Sequence, residues 1–158
     1  MKFRRFVLWN LFLPAALLLA ACGGTAKPAD GQMSKTVGLT IDARELTAAP
    51  AFIDVEQDGT AMQVIAFRND AGEVRLAFNT CQSCGGSPYA WFEDLGDGRL
   101  QCQNCRQTFP LDSVGTTDAL GCSPVTITDF TVDGDTVSIP ETLLQANTER
   151  FANWKKFD

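Results

Sequence analysis

Residues 80–106 read TCQSCGGSPYAWFEDLGDGRLQCQNCR: two C-x-x-C pairs, Cys81/Cys84 and Cys102/Cys105, with 17 residues between them. A C-x-x-C folds as a tight knuckle that presents two sulfurs to one ion, and a segment of this length can run out and back as a hairpin, returning the second knuckle to the first. PYAWFEDL and RLQC flank Gly96-Asp97-Gly98 and have the form of that hairpin. Gly85, after the first pair, suits the left-handed backbone that lets amide N–H groups point at the sulfurs, and Arg106 stands at the matching place in the second. The spacing therefore predicts two zinc-ribbon-like Cys knuckles sharing a four-thiolate metal site. Paired disulfides are the default for an exported chain but fit the spacing less well. A thioredoxin-type redox pair needs a strand-to-helix junction, and both pairs lie between predicted strands.

The chain contains no histidine, so a soft-metal site must be all-thiolate. Zn(II), mononuclear iron, an iron–sulfur cluster and Cu(I) are all compatible with such a site. Cys122, in LGCSP, lies just before a second predicted hairpin and is expected near the same site, as a ligand that replaces one of the four or completes a larger site, or as a buried inert thiol.

The N-terminus has the layout of a secretory signal: Lys2, Arg4 and Arg5, then an apolar run of 15 residues from Phe6 to Ala20. That run falls short of the roughly 20 residues needed to span a bilayer. Leu19-Ala20-Ala21-Cys22 resembles the lipobox of bacterial lipoproteins, which implies a signal peptide over 1–21, acylation of Cys22 and an extracytoplasmic face of the cell membrane as the location. Removing Cys22 from the 6 cysteines leaves five thiols, an odd number that cannot all pair within one chain. Without the three signal-peptide bases, 10 of the 13 basic residues remain against 19 acidic ones, a net charge of −9. Such a balance argues against nucleic acid as a partner.

Residues 22–36 are rich in Gly, Ala, Pro and polar groups and read as the lipidated cysteine and a flexible tether, leaving 37–158 as one metal-binding domain. Short period-two segments at 51–56, 61–68 and 73–79 predict a β-meander, with Val74, Leu76 and Phe78 on one face, and turns at Asp58-Gly59 and Asn69 to Gly72. A second hairpin is expected from Val125–Thr131 and Thr136–Ile139 about Asp133-Gly134. A C-terminal helix is expected after Pro140, with Asn147 interrupting its apolar stripe. The fold class is thus mainly β (α+β): a small antiparallel β domain with two knuckles and a C-terminal helix.

The runs FNTCQSCGG, LQCQNCRQTFPLDSVG and GCSPVTI, followed by a hairpin and FANWKKF, resemble the FtrD-like domain, a membrane iron–sulfur-containing protein domain, from about Gln57 to the end. The resemblance implies an iron–sulfur or iron centre held by Cys81, Cys84, Cys102 and Cys105, with Cys122 matching the family's later cysteine. It also implies a role in bacterial ferrous-iron uptake, passing electrons to a membrane iron permease or redox partner. Arg106 and Leu120 depart from the family pattern, in which glycine is expected, and described members carry several membrane spans where this chain has a lipoprotein signal. A purely structural zinc site of four cysteines, in an interaction module, is the alternative. An enzyme is not expected, since there is no histidine base and the acids Glu93, Asp94 and Asp97 lie in or beside a turn.

Overall fold

In a computed structural model the described residues are 36–116 and 121–157. The expected signal peptide over 1–21, the expected lipidated Cys22, the expected tether as far as Lys35, and Leu120 lie outside them. Among the described residues ten strands form three antiparallel sheets. The central sheet has the order β2-β3-β4-β8, from β2 (Ala51–Gln57), β3 (Thr60–Arg68), β4 (Val74–Cys81) and β8 (Pro124–Thr126). One flanking sheet is β1 (Val37–Asp42), β10 (Thr136–Pro140) and β9 (Thr131–Asp133), in the order β1-β10-β9. The other is the ribbon β5 (Phe92–Asp94), β6 (Arg99–Cys102) and β7 (Thr108–Pro110).

The meander forms where the turn chemistry predicts. Gln57 pairs with Thr60 across Asp58-Gly59, both at positive φ, which is the two-residue turn whose twist matches that of the strands. Met62, Val64, Ala66, Leu76 and Phe78 face a first core shared with β1, β10 and the C-terminal segment. Ile65, Phe67 and Ala77 face a second core shared with Phe92, Leu100 and Phe109 of the ribbon. The central sheet is therefore covered on both faces, which is why β3 is buried continuously from Met62 to Phe67 instead of alternating with solvent.

The second hairpin departs from its predicted form. Pro124–Thr126 pairs with β4 in the central sheet, while Thr131–Asp133 crosses to pair with β10. Only the second piece is a hairpin arm; the first continues the sheet that carries Cys81.

The C-terminal helix is also shorter than the apolar pattern predicts. Helix α1 covers Glu141–Gln145, and a 3₁₀ turn follows at Thr148–Phe151. Asn147 causes the break: its side chain donates to the Leu143 carbonyl (2.9 Å) and its N–H to Leu144 (3.0 Å), so it satisfies the helix end instead of extending it. Leu144 and Phe151 still reach the first core, and Phe151 packs edge-on against Phe78 with ring centres 6.0 Å apart.

One buried polar group joins the ribbon to the central sheet. Asn79, fully buried on β4, accepts the Phe92 N–H (2.8 Å) and donates to the Phe92 carbonyl (3.2 Å) and to Gln63 Oε1 (2.7 Å). Gln63 in turn donates to Asp54 Oδ1 (2.6 Å). Asn79→Ala would strand several of these groups in the interior, so urea unfolding of the reduced protein is expected to show a loss on the order of 3 kcal/mol. A loss below about 1 kcal/mol would show that the clamp is dispensable.

Candidate metal centre

Three separate segments converge at one end of the central sheet. Cys81 is the last residue of β4; its N–H donates to Ala90 (2.8 Å), and the chain then turns through Cys84. Cys102 ends β6, where it lies in register with Phe92; its N–H is donated to Gln107 (3.0 Å), and the Arg106 N–H returns to the Cys102 carbonyl (2.9 Å) to close the second knuckle over Cys105. Cys122 arrives because β8 pairs with β4, Pro124 opposite Cys81, and the Gln82 N–H donates to the Ser123 carbonyl (2.9 Å).

All five cysteines among the described residues are free thiols. The sulfurs of Cys81, Cys84, Cys102 and Cys122 lie within 4.8 Å of one another. Cys122 Sγ is 3.2 Å from Cys81 Sγ and 2.8 Å from Cys105 Sγ. The structure thus brings all five sequence-predicted thiols together, and the mutually close four include Cys122 in place of Cys105. Four sulfurs about 2.3 Å from one ion in a tetrahedron sit about 3.8 Å apart, so the spacing suits a single thiophilic ion. Met62 is buried in the other core.

The left-handed residue that tightens each knuckle differs from the sequence expectation. In the first it is Gly86 (φ 84°), not Gly85. Gly85 matters for space instead, since a Cβ there would lie 3.3 Å from both the Arg150 guanidinium and the Cys81 carbonyl. In the second it is Arg106 itself (φ 62°), whose side chain bonds Gln103 (2.5 Å). A β-branched residue fits that conformation poorly, so Arg106→Val is expected to lower stability by about 1–2 kcal/mol, whereas Arg106→Gly is expected to leave it unchanged or higher. Thermal melts of the two variants decide this.

Crowding sets the thiol electrostatics. Burial pushes Cys102 up to about 12 against the pull of the Cys105 and Asn104 amides. Burial, with the neighbouring Cys105 and Cys81, raises Cys122 as well. Cys84 rises through burial, partly countered by the Asn104 side chain. For Cys105 burial is outweighed by bonds from Cys122, the Gln107 amide, Cys102 and Cys84, which bring it down to about 7. One negative charge is thus accommodated and further ones are opposed, an arrangement that a bound cation reverses. In metal-free, reduced protein the sign of the pH dependence follows. Cys105 adds stability as pH rises from about 7 to 9, because only the folded chain has then lost that proton; above about 9 stability falls, because Cys102 ionises in the unfolded chain first. Urea midpoints measured with a chelator present are expected to peak near pH 9, and a flat profile would contradict the shifts.

Aromatic residues border the first knuckle. Phe92 is wholly core, whereas Trp91 packs against Tyr89 (5.7 Å) and Trp154 (6.0 Å), with Lys156 Nζ 5.6 Å above its ring. The C-terminal segment lies along the same loop through Lys155 N–H to Pro88 (3.0 Å) and Asn153 to Gly86 (3.1 Å). Asp94 accepts the Gly96 N–H and Asp97 pairs with Arg99, so these acids serve the exposed turn. Asn79 was not singled out by sequence; the available signal was an asparagine inside the otherwise apolar run LAFNTC.

A small antiparallel β domain whose strand ends deliver five free cysteines to one point, with no histidine in the chain, belongs to the class of thiolate metal-binding proteins. More particularly, the chain belongs to the FtrD-like family: the model of the membrane iron-sulfur containing protein FtrD-like matches residues 47–151. No curated protein matches in sequence. Among solved structures, the chain is similar to the ferredoxin of carbazole 1,9a-dioxygenase from Nocardioides aromaticivorans IC177, at 23% identity over 66% of this chain and 97% of that one, with a TM-score of 0.39. No helix among the described residues is long and apolar enough to cross a membrane.

Proposed function

We propose that this protein is an electron-transfer domain of a bacterial iron-uptake system, with iron held by Cys81, Cys84, Cys102 and Cys122 and no substrate chemistry of its own. The observation that carries this reading is the convergence of these sulfurs within 4.8 Å from three segments, without a disulfide. Membership of a family described as iron–sulfur supports iron over zinc. When bound, iron supplies a one-electron couple. The chain's own residues hold it, place aromatic rings beside the first knuckle, and aim the Asn104 and Cys105 amides at the Cys102 sulfur, a feature that tunes thiolate centres. The spacing suits a mononuclear ion directly; an iron–sulfur cluster requires the knuckles to part.

The tethering belongs to the same proposal: acylated Cys22 and the segment to residue 36 hold the domain at the extracytoplasmic face of the cell membrane, beside an iron permease or redox partner. Palmitate labelling lost in Cys22→Ser is the expected sign of that anchor; labelling that persists would rule it out.

Anaerobically purified protein is expected to contain iron and to absorb in the visible, and Cys102→Ser and Cys122→Ser are each expected to lose the metal and melt at lower temperature. Colourless protein carrying one zinc would instead establish the structural-zinc alternative. Unchanged metal content in Cys102→Ser would exclude the four-thiolate site.

A further inference from the structure

The centre holds one thiol more than a tetrahedral ion uses. Cys105 stands outside the set of four mutually close sulfurs, yet its Sγ touches Cys122 Sγ at 2.8 Å. Both residues are only partly buried, unlike Cys81 and Cys102. The other close pair, Cys81 with Cys122 at 3.2 Å, is different in kind. Cys81 is fully buried, and both its members belong to the set of four, so chemistry there must wait for the metal to leave. Cys105 is thus the thiol outside the four-sulfur set, and of the ligands it borders, Cys122 is in direct contact with it at 2.8 Å. Its chain neighbour Arg106 is exposed and basic, the setting in which cysteines react.

We infer that Cys105 is a thiol–disulfide exchange site with Cys122 as its resolving partner, so that oxidation of this pair withdraws one ligand and releases the metal. This rests on the four-ligand reading proposed above. The co-reactant is a disulfide, small or protein-borne. The Cys105 thiolate attacks one sulfur of R–S–S–R, forms a mixed disulfide and expels RS⁻. The Cys122 sulfur then attacks Cys105 Sγ, forming the Cys105–Cys122 bond and expelling the second RS⁻. Two protein thiolates lose two electrons, the incoming disulfide gains them, and the two leaving thiolates take their protons from water. A bound ion would then keep only three sulfur ligands and would be released as the cation. The existing sulfur–sulfur contact means that the second attack needs no rearrangement of strands.

The test uses the full chain as purified and, in parallel, loaded with Zn(II) under anaerobic conditions. Each sample is challenged with glutathione disulfide while metal release is followed with a chelating dye and cysteines are mapped by peptide mass spectrometry. Wild type is expected to release its metal as a Cys105–Cys122 disulfide forms, reversibly on adding a thiol reductant. Cys105→Ser is expected to bind Zn(II) as isolated and to release it several-fold more slowly under the same challenge. Release at the wild-type rate from Cys105→Ser, a disulfide mapped to another pair, or failure of Cys105→Ser to bind Zn(II) each overturns the inference. A zinc titration of wild type before any oxidant is added separates this result from failure of the proposed function, since a wild type that takes up no metal overturns both.

Discussion

The bond on which the centre depends is the one between the Asn79 side chain and the main chain of Phe92. Cys81 and Cys102 sit at the ends of strands in different sheets, and no backbone ladder joins those sheets at that point. Asn79 supplies the missing rung, offering an acceptor and a donor to one residue as a neighbouring strand would. Because Phe92 lies in register with Cys102, and Asn79 is two residues from Cys81 on β4, this amide and the Cys81 N–H bond to Ala90 together fix the spacing of the two knuckles. Burial of the Asn79 amide makes the arrangement strict. A polar group removed from water must find partners, and Gln63 and Asp54 complete the set.

The second constraint is the antiparallel pairing of β8 with β4. It brings a cysteine distant in sequence into contact with both Cys81 and Cys105. Two C-x-x-C knuckles alone would supply four sulfurs; the third segment adds a fifth, and it is this one that joins the mutually close set in place of Cys105.

Much of this was legible in the sequence because it is local. The C-x-x-C spacing, the Gly-Asp-Gly hairpin between the knuckles and the Asp58-Gly59 turn each specify geometry over a few residues, and the observed strands follow them closely. The rest depends on which strands meet. In the run from Val125 to Thr131 the alternation of Val125 and Ile127 changes phase at Asp129-Phe130, where the chain crosses between sheets, but which sheet each end joins depends on partners distant in sequence. The stripe after Pro140 has helical period, yet one asparagine with a free carbonyl in reach ends the helix early. Arg106 occupies a conformation for which glycine is the usual choice, since closing the knuckle outweighs the cost to one side chain. Cys122 was readable as a neighbour of the site and as a candidate replacement for one of the four; that Cys105 is the one it replaces in the mutually close set was not, because that follows from strand pairing.

The central sheet, covered on both faces, divides the domain into two apolar layers that share the same two strands. The ribbon bearing the second knuckle is held to the central sheet by one apolar layer, the Asn79 rung and the Cys81 N–H bond to Ala90. The centre lies where ribbon and sheet meet, so an ion bound there would tie the two together through sulfurs carried by both.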